Sequence, residues 1–133
     1  MNKNRLLKLA DHLEYGLKLG HKLFNFTVCE TDCRTAGCAV GELPFLHPKA
    51  WAWETGFRGR IPVLKDSDEA GTTGAAIWFG ISDDESNFLF DPNHDNTCPL
   101  PTHATRYQVA MHIRRFVREG GIYWRKPVAS CGN

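Results

Sequence analysis

Two apolar stripes at helical spacing stand near the two ends of this chain, and they limit its possible folds more than any other feature. Near the start, Leu6, Leu7, Leu9, Ala10, Leu13 and Leu17 recur every three or four residues, while Lys3, Arg5, Lys8, Asp11, Glu14 and Lys18 take the opposite side. This predicts a first amphipathic helix ending near Gly16 or Gly20. Near the end, Tyr107, Val109, Ala110, Ile113, Phe116 and Val117 line a second stripe. Thr105 and Gln108 supply a capping box at its start, and Gly120-Gly121 closes it near Glu119. A helix with one apolar stripe must bury it against another element. A chain of 133 residues is long enough for one continuous core and too short for two, so a single domain over 1–133 is expected.

Between the stripes the signals are shorter. Residues 23–28 carry β-branched and aromatic types and suit a short strand or extended connector. Thr35 is a candidate N-cap and Pro44 a candidate stop for a short helix over Ala36–Leu43, in which two glycines suit close packing against another backbone. A turn of helix is expected over Lys49–Trp53 and a short strand over Ile61–Leu64. A further helix ends at Gly80, and Ser82 with Glu85 forms a second capping box for a helix to about Phe90, stopped by Asp91-Pro92. Residues 91–103 read as loop from their Pro, Asn and Asp content. The tail from Ile122 would add a short strand or lie against the core. The expected architecture is mainly α, about five helices in one compact domain, with room for a small β element in an α+β arrangement. Leu6, Leu9, Leu13, Val40, Ile77, Phe79, Phe88, Ile113 and Phe116 should share its core.

Apolar residues make up 42% of the chain and charged residues 23%, which suits a folded globular protein rather than a disordered one. The net charge of +1 conceals segregation. Asp66 to Asp95 holds eight acids and neither Lys nor Arg, whereas Arg106 to Lys126 holds six bases and one acid. Those blocks suit attraction within one fold or between copies better than a nucleic-acid surface. The N-terminus is charged throughout, with no secretory or membrane-spanning pattern, so a cytoplasmic location is expected. With five cysteines and no secretory signal, thiols or metal ligands are expected before disulfides.

Three chemistries fit the cysteine-rich stretch. If Thr35 caps a helix, Cys38 lies in its first turn, where backbone N–H groups and the helix dipole favour a thiolate. His47, His94, His103 or His112 would then supply the base, with Cys38, His47 and His103 as the preferred catalytic set of a cysteine-dependent hydrolase or transferase. Alternatively Cys33, Cys38, His94 and Cys98 would form a Cys3His zinc site, although none of their spacings is a zinc knuckle. The third reading makes Cys38 a small buried residue with no cofactor attached. Asp91, Asn93 and Asp95 begin a calcium-loop pattern that fails at Asn96 and Thr102. The Gly80 corner suits a helix-turn-helix, but Asp83, Asp84 and Glu85 open its second helix and would repel phosphates.

Three motifs run through most of the chain: Cys-x-Thr-Ala-x-Cys-Ala-x-Gly at Cys33–Gly41, Phe-Gly-Ile-Ser at Phe79–Ser82 before an acidic helix, and Thr-x-x-x-Val-Ala-x-x-Ile at Thr105–Ile113. Together they resemble a group of small, uncharacterised bacterial and phage proteins, a resemblance that implies a compact helical domain and no particular chemistry. With no catalytic set complete, the leading expectation is an accessory or regulatory protein acting by contact with a protein partner or a second copy. Arg114, Arg115 and Arg118 on the last helix, and Trp51 and Trp53 in the aromatic segment, are its candidate contact residues.

Overall fold

The computed structural model describes residues 1–16, 19–20, 23–24, 36–56, 59–92 and 98–123. Helix α1 (Lys3–Tyr15) starts where the Asn2 side chain accepts the Arg5 N–H at 3.1 Å, and it buries Leu6, Leu9, Ala10 and Leu13. The last helix, α5 (Arg106–Glu119), buries Val109, Ala110, Ile113 and Phe116 against it. Both predicted stripes therefore meet each other. Arg106 fastens the seam, because its Nε donates to Leu13 O at 2.6 Å and its other guanidinium arm to Gly16 O. Those carbonyls lie at the C-terminal end of α1, where the helix leaves acceptors unfilled and a cation is favoured.

Four of the predicted helix ends are realised by the residues that announced them. Helix α3 (Gly71–Phe79) ends at Gly80, and α5 ends at Gly120, with φ of 64° and 79° at those glycines. Both are left-handed positions that side chains with a Cβ resist. Helix α4 (Asp83–Phe90) and α5 each begin with a complete capping box, Ser82 with Glu85 and Thr105 with Gln108. Buried Ser86 ties α4 to α3 by donating to Thr72 O at 2.6 Å, and the Asn2 N–H ties α1 to the end of α3 through Phe79 O.

The middle of the chain departs from expectation. Instead of a helix over Ala36–Leu43, strand β2 (Ala36–Gly37) pairs in parallel with β1 (Leu23–Phe24). A 3-10 turn at Val40–Glu42 then leads into the short helix α2 (Leu43–Leu46), where Pro44 occupies the first turn rather than a stop. The expected helical turn at Lys49–Trp53 gives way to β3 (Trp51–Gly56), which forms an antiparallel hairpin with β4 (Gly59–Leu64) from Trp51 opposite Leu64 to Gly56 opposite Gly59. The predicted Ile61–Leu64 strand is the inner part of β4. Strand β5 (Glu69–Ala70) adds to Val63 and Leu64, so the sheet order is β3-β4-β5. In both revised segments the deciding hydrogen bonds come from partners outside the local window. The described residues thus combine five α-helices with a small three-stranded antiparallel sheet, an α+β arrangement.

Of the expected core, Leu6, Leu9, Leu13, Val40, Phe79, Phe88, Ile113 and Phe116 are buried, but Ile77 is 51% exposed. Helix α3 is apolar on nearly every side, so its sequence could not select a face. The sheet and α4 select Gly74, Ala75, Ala76 and Phe79 instead. Gly74 is required to be small, since a Cβ there would press on Glu69 O and on the Trp51 ring. Among the described residues, no helix is long and apolar enough to cross a membrane.

Glu42 is the least expected member of the interior. It is fully buried, its Oε1 accepts the Gly20 N–H at 2.6 Å, and the same oxygen meets His12 Nε2 at 2.8 Å. It joins the end of α1 and the segment after it to the 3-10 turn. Glu42→Ala should cost about 1–3 kcal/mol for each donor left without an acceptor. Phe116→Ala, at a fully buried ring between helices, should cost about 3–5 kcal/mol. Urea denaturation of each variant, with helical circular dichroism retained at zero denaturant, checks both values.

Candidate partner-binding groove

One face of α5 is left uncovered by the α1 seam. Tyr107 and Met111 are 55% and 47% exposed, Arg115 is exposed, and the three stand at i, i+4 and i+8 on one stripe. With Leu100, Gln108, His112 and Tyr123 they surround an open groove of about 410 Å³.

The floor of this groove follows from a backbone defect in α4. In a continuing helix the Phe88 carbonyl would accept the N–H of residue 92, but that residue is Pro92 and has none. His112 fills the gap, with Nε2 placed 2.7 Å from Phe88 O. Because a carbonyl only accepts, Nε2 carries the proton, and Nδ1 is left to accept the Tyr123 hydroxyl proton. Phe88 stacks obliquely on His112 with centroids 4.7 Å apart and meets Tyr123 edge-on at 5.0 Å. The Arg115 guanidinium lies 4.2 Å from the Tyr123 ring centre and holds the groove's rim.

Burial pushes the His112 imidazole down to about 4; the Phe88 carbonyl opposes this and Arg115 adds to it. Burial likewise raises the Tyr123 phenol. Both ring nitrogens of His112 are occupied by protein partners. The residue therefore works as a neutral tether, with neither nitrogen offered to a substrate as acid or base. Its signal in the sequence was indirect: a proline four residues after Phe88 leaves a carbonyl that some side chain must satisfy.

The other candidate residues fall into separate places. Cys38 is buried and sits between β2 and the 3-10 turn, so the first-turn position that would lower its thiol pKa is not formed. His47 lies against Trp78 with ring centroids 5.0 Å apart, and His103 is exposed in the turn before α5. Of the four zinc candidates, Cys33 and His94 lie outside the described residues. Cys98 is buried, which pushes its thiol up to about 11. Among the described residues no group of three or more metal-ligating side chains gathers.

The contact candidates divide as well. Arg114 is drawn into the fold: its guanidinium meets Asp11 at 2.7 Å and Glu14 at 2.9 Å, both on α1. Trp51 is 2% exposed and belongs to the core, because the β3–β4 hairpin turns it inward toward α3. Trp53 is half-buried between Phe45 at 5.9 Å and the Arg60 guanidinium at 4.6 Å. Arg115 and Arg118 remain exposed on α5, and of the two Arg115 lines the groove. Sequence periodicity had placed Tyr107 on the buried stripe and passed over Met111 and Tyr123.

No family model, curated protein or solved structure matches this chain.

A histidine depressed in the native state makes the unfolded chain the stronger proton binder, so stability falls as pH drops from about 6.5 toward 4. The His112 share of that fall should approach about 3 kcal/mol. It is read as the difference in pH dependence of urea midpoints between the native chain and His112→Gln, which should lose this component.

Proposed function

We propose that the protein is a small accessory or regulatory protein that works by binding a protein partner through the Tyr107–Met111–Arg115 face of α5. The supporting observation is the contrast along this helix. Arg106, His112 and Arg114 are spent on internal bonds, while an aromatic, a thioether and a guanidinium stand exposed around a groove. Tyr, Met and Arg are the types enriched at interface centres, since each offers contact area with either adaptable packing or directed hydrogen bonds. The fitting partner segment presents an apolar side chain to Tyr107 and Met111 and a carboxylate to Arg115, with Arg118 extending the positive rim.

A photo-crosslinking residue placed at Met111, with the same residue at exposed Asp66 as control, tests this reading in the native host. A discrete adduct from position 111 that is absent from position 66 and lost when Arg115→Glu is added is the expected result. Equal adducts from both positions, or none from 111, would overturn it. Sedimentation velocity across a concentration series then separates a second copy of the chain from a different protein.

A further inference from the structure

Away from the groove, five donor side chains gather where α1, α2, β3 and α3 meet. Trp51 on β3 and Trp78 on α3 pack edge to face with centroids 6.2 Å apart. The indole Nε1 of each is buried and has no hydrogen-bond partner among the described residues, and Trp51 as a whole is 98% buried, being 2% exposed. Buried indole N–H groups ordinarily find an acceptor, so two orphaned donors in adjacent rings call for one. The Arg5 guanidinium lies 3.5 Å from the Trp78 ring centre and donates to Trp78 O at 2.9 Å. His47, at the end of α2, meets the Trp78 ring at a tilt, with centroids 5.0 Å apart.

The charges around the cluster have one sign. His47 is held below its ordinary pKa first by burial and then by Lys8 and Arg5, both on α1 and three residues apart. Among the described residues neither Arg5 nor Lys8 has a carboxylate partner. By contrast Arg114, on the other side of α1, has two. Among the described residues, the positive charge here has no carboxylate against it and the two indole N–H groups have no acceptor.

We propose that this corner binds a small oxyanion of the phosphate type, with Arg5 and Lys8 supplying charge and the Trp51 and Trp78 indole N–H groups and His47 supplying directed hydrogen bonds. An oxyanion has the several lone pairs that two orphaned donors and two unneutralised cations require. The site is separate from the α5 groove and does not depend on its role.

Inorganic phosphate titrated into the ¹⁵N-labelled chain, with chloride at matched ionic strength as the control, provides the test. The expected result is a saturable shift of the Trp51 and Trp78 indole N–H resonances with little change at Trp53, and a His47 ring that titrates at higher pH once phosphate is bound. Lys8→Gln, at an exposed position that leaves the core untouched, should weaken this binding by about tenfold. No saturable shift up to about 50 mM phosphate overturns the proposal. Equal shifts with chloride, equal shifts at Trp53, or unchanged affinity in Lys8→Gln at native circular dichroism also overturn it.

Discussion

The α1 and α5 stripes bury each other, and the other elements are built on that seam. Leu6, Leu9 and Leu13 on one helix and Val109, Ile113 and Phe116 on the other are all essentially inaccessible, and they belong to the two longest helices among the described residues. Short helices are marginal by themselves and gain stability from packing. The seam therefore supplies the surface on which α3 and α4 assemble, and the small sheet packs on α3 in turn. Arg106 and Arg114 fix its geometry by reaching from α5 to carbonyls and carboxylates at the end of α1.

A second tier of organisation comes from buried polar groups that close backbone gaps. His112 satisfies a carbonyl orphaned by Pro92, and Glu42 satisfies the Gly20 N–H while meeting His12. Each links segments far apart in sequence, and each is costly to remove because the side chain is itself buried and leaves its partners unsatisfied. These side chains are fully used by the fold. Among the described residues, the exposed stripe of α5 and the donor-rich Trp51–Trp78 corner are the two surfaces proposed for binding.

The two surfaces differ in what they lack. The α5 groove offers apolar area with a positive rim, and its histidine has both nitrogens held by protein partners, which suits contact with another protein. The Trp51–Trp78 corner offers two indole donors without acceptors and cations without carboxylates among the described residues, which suits a small anion. Cys38, the natural first suspect in the sequence, belongs to neither, because pairing of Ala36–Gly37 with Leu23–Phe24 replaces the helix that would have activated its thiol.

The helix ends and the main seam were legible in the amino-acid order alone. Capping boxes at Ser82 and Thr105, left-handed glycines at 80 and 120, and the apolar periodicity of α1 and α5 all act within about four residues, so they are legible in any short window. Contacts made in the folded state set strands β2, β3 and β5, the outward turn of Ile77, the inward turn of Trp51 and the internal use of Arg114, Glu42 and His112. The β1–β2 pair joins residues 13 positions apart, from Leu23 to Ala36, and the Glu42–His12 contact spans 30. Which face an all-apolar helix buries, and which charged side chain finds a partner, depend on elements that meet only after the chain has folded, and no local pattern encodes that meeting.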